Sequence, residues 1–166
     1  MGREVRRVPA DWQHPKQSHL GLRGYEEHFK PLFPGEDYQE GVDEWDEGLA
    51  AWKRGEYPEY ASAEDCKNLT YEQFAGQRPH RDDYMPNWPE DQRTHLMMYE
   101  TTTEGTPISP AFETPEELAR WLTDNQASAF GGQTASYEGW LRVARGGYAP
   151  SAVVTDAGVT SGVDAL

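Results

Sequence analysis

Five histidines, one cysteine, a glycine-rich stretch and a run of carboxylates are the residues of this chain whose types could do chemistry. His14, His19, His28, His80 and His95 fall into no HExxH or comparable ligand spacing. The most metal-like group is His80 with Asp82 and Asp83, one imidazole and two carboxylates, and a solvated turn beside Pro79 and Arg81 accounts for it. His95 would serve as a base only if it faced a cleft, and a histidine satisfied by backbone at the start of a strand accounts for it. Cys66 needs a neighbouring base and a lowered pKa to act as a nucleophile. Nothing in the sequence places one, so it reads as a passive thiol. The stretch from Ser128 to Ser136 is glycine-rich and leads into a helix start, where backbone N–H groups hold anions. Gly131, Gly132 and Thr134 are therefore a candidate anion-binding turn, although the stretch lacks the lysine of a P-loop and the spacing of a dinucleotide fingerprint. No catalytic residue, metal or cofactor is expected.

The carboxylates are denser. Residues 36–66 carry eleven acidic and two basic groups, a net of −9 within a chain of net charge −14. Within this segment Tyr38, Val42, Trp45, Leu49 and Trp52 recur at spacings of 4, 3, 4 and 3, which predicts a helix over about residues 36–54 with one apolar stripe. Gly55 ends it, and Lys53 and Arg54 occupy the turn where the helix dipole favours cations. Gly41 and Gly48 each cost about 1 kcal/mol against alanine, so the helix requires tertiary packing. Burying the stripe leaves Asp37, Glu40, Asp43, Glu44 and Glu47 facing water, either as a solubilising face or as an interaction surface. Tyr57, Tyr60 and Trp88 are candidate aromatic anchors for a partner.

The remaining elements follow from local pattern. Arg3–Val8 reads as a short edge strand with a solvated arginine face, closed by Pro9. Residues 9–35 and 56–93 read as mostly irregular, with a helical turn near Glu26–Lys30 and a short helix at Thr70–Ala75. His95–Thr101 reads as a central strand. Thr114-Pro115-Glu116-Glu117 predicts a capped helix start. A second helix begins near Thr134 or Ser136 and ends at Gly146-Gly147. Ser151–Thr155 and Val159–Val163 read as a terminal hairpin about Asp156-Ala157-Gly158. Together these predict one α+β domain over residues 1–166: a small antiparallel or mixed sheet, about three helices packed on it and an aromatic-rich core, with residues 94–163 the more regular part.

Composition narrows the class. Leu, Ile, Val and Phe together number only 24, so much of the burial falls to six tryptophans and nine tyrosines. The charge predicts repulsion from nucleic acid and from membrane surfaces, and attraction to basic protein surfaces. A single cysteine excludes an internal disulfide and a multi-cysteine zinc site. With no apolar run of membrane-spanning length and no signal-peptide pattern, the expected location is a cytoplasm.

The segments Val5–Pro15, Asp83–Pro89, Tyr99–Pro110, Phe112–Leu122 and Ala149–Val154 resemble those of a family of uncharacterised proteins from tailed bacteriophages and prophages. The resemblance spans most of the chain and brings no assigned activity or site residues with it. Some relatives carry paired cysteines in the middle region that suggest zinc, and this chain has only Cys66 there. The resemblance, the strong negative charge and the absence of an active-site motif together predict a phage accessory protein in the cytoplasm of the infected bacterial host. It would act by binding a basic surface of a nucleic-acid-handling host complex, as a counter-defence inhibitor of the anti-CRISPR or anti-restriction kind. Two alternatives remain open: a small phage enzyme using the Gly131-Gly132 turn and His95 on a nucleotide or phosphate-bearing molecule, and a minor virion or assembly protein.

Overall fold

The computed structural model describes residues 2–21, 24–103, 105–155 and 158–165. The fold is α+β, and its residues fall into two compact units. Residues 33–87 make a helical unit; residues up to 32 and from 88 onward make a sheet unit.

In the helical unit, α1 (Asp37–Lys53) forms where the 4-3-4-3 spacing predicts it. Its start makes no side-chain cap, and Asp37 and Glu40 supply negative charge to the first turn while Lys53 supplies the opposite charge to the last. Of the apolar stripe only Val42 is buried; Tyr38, Trp45, Leu49 and Trp52 are half-buried. The reason lies in what opposes them. Two short helices, α2 (Ala63–Cys66) and α3 (Tyr71–Ala75), are the other α-helices of the unit, and α3 is the one packed on α1. The rings of Tyr71 and Phe74 meet Trp45 and Trp52 there. Thr70 and Gln73 close a capping box that holds α3 in place.

Gly48 makes that contact possible. A Cβ at this position would stand 1.9 Å from the Tyr71 hydroxyl. The glycine that weakens α1 as an isolated helix is what lets an aromatic ring lie against it. Gly41 faces the Tyr84 hydroxyl in the same way, at 3.2 Å.

The sheet unit is built on a four-stranded antiparallel sheet in the order Thr106–Pro107 (β5), His95–Glu100 (β4), Gly2–Val8 (β1) and Tyr148–Pro150 (β6). Strand β1 (Gly2–Val8) is an inner strand, not the edge strand that its charges predict. Arg3 and Arg6 are buried, only 2% and 9% exposed, rather than solvated. Arg3 reaches Glu100 at 3.0 Å and donates to the Ser128 carbonyl at 2.9 Å. Arg6 pairs with Glu4 at 2.9 Å, and its guanidinium lies 4.5 Å from the Tyr99 ring centroid. Charges this well partnered can enter an inner strand. Arg7 alone of the three stays exposed, paired with Glu90.

Residues 16–29, expected as loop with a helical turn, form a two-stranded hairpin, β2 (Lys16–Gly21) with β3 (Gly24–Phe29). Its register pairs Lys16 with Phe29 and Leu20 with Tyr25. Lys16 to Leu20 and all of β3 are exposed, so no apolar alternation marks the strands in the sequence.

Strand β4 (His95–Glu100) lies between β5 (Thr106–Pro107) and β1, as its apolar run predicts. Helix α4 (Pro115–Asp124) opens with a Thr114–Glu117 capping box, and α5 (Tyr137–Gly146) is capped by Ser136 and closed by Gly147 at φ 86°. They pack on each other and on the sheet, around Met98, Leu118, Leu122, Trp140 and Val143. Phe112, Trp121 and Tyr137 lie half-buried against this cluster. Strand β6 (Tyr148–Pro150) precedes the terminal hairpin of β7 (Ala152–Thr155) and β8 (Gly158–Ser161). Asp156 and Ala157 of its expected turn lie outside the described residues. The second strand ends early, at Ser161. Gly162–Ala165 is a helical turn, α6, that sets Val163 into the core. Its first residue must be small, because a Cβ on Gly162 would sit 1.9 Å from the Pro150 carbonyl oxygen.

Candidate functional site

Helix α1 presents two different surfaces that meet. On one, Asp37, Glu40, Asp43, Glu44 and Glu47 are exposed. Among the described residues Glu40, Glu44 and Glu47 have no ion-pair partner, and Asp43 accepts a hydrogen bond from Gln39 at 2.8 Å. Asp46 is held by a cation: a two-point contact with Arg78 at 2.9 and 2.7 Å keeps its carboxyl below the usual carboxylate range.

The other surface is an aromatic groove of about 680 Å³ lined by Trp52, Tyr57, Tyr60, Tyr71 and Phe74. Trp52 meets Tyr57 edge-on at 4.8 Å and Phe74 at 4.9 Å. Tyr60 stacks loosely on Phe74 and is 86% exposed. Gly48 and Ala51 line both this groove and the shallow depression that holds Glu44 and Glu47. Helix geometry therefore brings two of the predicted carboxylates, Glu44 and Glu47, beside two of the three predicted anchors, Tyr57 and Tyr60. The third, Trp88, belongs to the sheet unit, where its ring meets Trp12 edge-on at 4.7 Å.

The sheet unit has a cleft of its own, about 610 Å³, with Trp12, His14, Phe29, Met97, Ser109 and Trp121 among its walls. His14 is its one imidazole, and both ring nitrogens are engaged. Nε2 lies 2.7 Å from the Lys30 carbonyl oxygen, which can only accept, so Nε2 carries the proton. Nδ1 then accepts from the Tyr99 hydroxyl at 3.1 Å. Desolvation lowers the His14 pKa, against the opposing pull of the Lys30 carbonyl, and Arg6 adds to the lowering. Burial likewise pushes Tyr99 up to about 12. A neutral imidazole committed on both sides holds strand and loop together and has no nitrogen left for a substrate.

The other candidate residues are dispersed. Gly131 and Gly132 take positive φ, 52° and 83°, in a turn closed by Phe130 and Gln133; with Thr134 they are exposed. The N-terminus of the helix beyond this turn already has an anion on it. The Asp164 carboxylate accepts from the Ser136 hydroxyl at 2.7 Å and from its N–H at 3.1 Å. His95 contacts Thr94 at 2.9 Å, and neither it nor the glycine turn lines the aromatic groove or the cleft. His80 accepts from the Asp82 N–H at 3.3 Å within an exposed turn. Cys66 is buried in α2.

One grouping escaped the sequence reading. His19, Glu26 and His28 share one face of the β2–β3 hairpin, with ligand atoms all within 4.8 Å of one another. The pattern is His-x6-Glu-x-His. It converges only if residues 16–29 are a hairpin, because alternate residues of one strand and a cross-strand partner share a face.

Comparisons with protein-family models, with curated proteins and with solved structures found no match.

Proposed function

We propose that the protein acts by binding, as a phage accessory protein that covers a basic surface of a nucleic-acid-handling host complex in the cytoplasm of the infected cell. The observation that supports this reading is the junction on α1, where carboxylates lacking cation partners adjoin an open aromatic groove. Seven carboxylates over about 18 Å of helix, at about 1.5 Å rise per residue, approach the linear charge density of a nucleic-acid strand. Such a surface competes for grooves built for phosphates, and Tyr57 and Tyr60 supply contact area that charge alone lacks. The phage resemblance of the sequence points to counter-defence inhibition, of the anti-CRISPR or anti-restriction kind, as the use of such a surface.

Affinity capture from lysate of a bacterial host, in low and in high salt, tests this. The expected partner is basic, binds nucleic acid, releases that nucleic acid when the protein is added, and dissociates as salt rises. Absence of any partner at low salt, or a partner whose nucleic-acid binding is undisturbed, overturns the reading.

A further inference from the structure

The β2–β3 hairpin carries a set of groups that the fold does not use. His19 and Glu26 are cross-strand partners, and His28 follows Glu26 by two residues on the same face. The two imidazole rings lie 4.4 Å apart and are tilted by 30°. The Glu26 carboxylate is 3.7 Å from Nε2 of His28. All three side chains are exposed, and among the described residues no other hydrogen bond or ion pair holds them.

We propose that His19, Glu26 and His28 form a site for one divalent transition-metal ion of the zinc class. Two imidazoles and one carboxylate are a borderline donor set that suits zinc, whereas magnesium and calcium take oxygen ligands. Bonds of about 2.0–2.1 Å in tetrahedral array bring the ligand atoms to about 3.4 Å from one another. The present spacing closes to that value by rotation of three exposed side chains on a paired backbone. Three protein ligands leave a fourth position open to water or to a ligand from outside.

The hairpin itself is the second reason. A two-stranded hairpin is marginally stable in water, and this one exposes both faces, with Tyr25 82% and Leu20 72% exposed. A metal bound by His19 on one strand and by Glu26 and His28 on the other clips the strands together. Binding then orders the element that presents it.

Titration of the full chain, freed of metal by a chelator, with Co²⁺ and then Zn²⁺ tests the site. The expected result is one Co²⁺ per chain, with the visible absorption of four-coordinate cobalt, displaced by one equivalent of Zn²⁺. His19→Ala and His28→Ala each weaken Zn²⁺ binding about tenfold or more, since loss even of a partner behind a ligand has an effect of that size. Glu26→Gln acts in the same direction, and His80→Ala leaves binding unchanged. Failure to bind at one per chain, wild-type affinity in the His19→Ala/His28→Ala double variant, or loss of binding on His80→Ala overturns the proposal. A measurement on the unsubstituted chain needs no variant to fold. Zn²⁺ should shift the imidazole resonances of His19 and His28 and slow amide exchange across residues 16–29. Shifts confined to other histidines, or unaltered exchange in the hairpin, overturn it equally.

Discussion

The sheet unit and the helical unit keep their side chains from water by different means. In the first, eleven buried residues from Met98 to Val163 form one continuous cluster, and even its arginines Arg3 and Arg6 are sunk into partnered positions. In the second, Val42, Cys66 and Met85 are the buried apolar side chains among the described residues, and half-exposed rings meet one another, joined by the Arg78–Asp46 ion pair and a Trp45–Gly76 hydrogen bond. Each such ring pair adds about 0.5–1.5 kcal/mol beyond the area it covers. A unit held in this way can be acidic over most of one helix and still fold, because its aromatic contacts need only one face and tolerate water at their rims. The difference teaches where function can be read: tight burial marks structure in the sheet unit, and open aromatic surface marks availability in the helical unit.

The largest test of this contrast is truncation. Leu118→Ala empties a fully buried position in the sheet unit and should cost about 2–5 kcal/mol in a urea titration. Leu49→Ala on α1 removes the same atoms from a half-buried position and should cost less than half as much. Equal losses would mean that the two units cohere in the same way after all.

Two helical glycines sharpen the contrast. Gly48→Ala improves helix propensity by about 1 kcal/mol but drives a methyl into the Tyr71 hydroxyl, so a net loss of about 1–2 kcal/mol is expected. Gly146→Ala, at the end of α5 with open space around it, should be neutral or stabilise by up to about 1 kcal/mol. Thermal melts of the two variants should move in opposite directions. A stabilising Gly48→Ala would show that Tyr71 does not need to sit against α1.

What was legible in the sequence follows the same division of physical causes. Helix α1, the short helix α3 and the capped start of α4 were readable because periodicity and caps are local, and the α4 cap uses residues three positions apart. The inner place of β1 was hidden, because Arg3 and Arg6 find Glu100, Ser128 and Leu32 only after the chain has folded. The β2–β3 hairpin was hidden for the opposite reason. With neither face buried it has no alternation to display, and the His19–Glu26–His28 grouping vanished from view along with it. The acidic residues and Tyr57 and Tyr60 could be named individually, but their meeting across Gly48 and Ala51 depends on how α3 packs.

His14 gives the sheet unit a dependence on pH near neutrality. Its folded pKa lies below the ordinary 6.5 because burial disfavours the charged ring. As pH falls through 6.5 the unfolded chain takes up a proton that the folded chain refuses, so acid favours unfolding. The contribution is complete above 6.5 and diminishes as pH falls from there toward the lowered value. The paired carboxylates Asp46 and Glu116 have lowered pKa values of their own, and their contributions are lost only at more acid pH, below their ordinary 3.8 and 4.5. Stability measured between pH 7 and 5 should therefore fall in the native chain. His14→Gln should flatten that slope even though it lowers stability overall, and an unchanged slope would remove His14 as its source.

The smallest expected change in stability belongs to the acidic face, and its smallness is the point. Asp43→Lys, Glu44→Lys and Glu47→Lys together alter exposed positions, of which Asp43 gives up one exposed hydrogen bond from Gln39. Reversal at position 44 turns its repulsion with Glu40, one turn away, into attraction, while positions 43 and 47 stay like-charged as before. These pair effects are a few tenths of a kcal/mol each, so folding stability should stay within about 0.5 kcal/mol of the native chain. If the face is a binding surface, the same three substitutions abolish salt-sensitive partner capture without moving the melting temperature. A large loss of stability would instead give the carboxylates a structural role inside the helical unit, and the contrast between a buried unit and an available one would fail where it matters most.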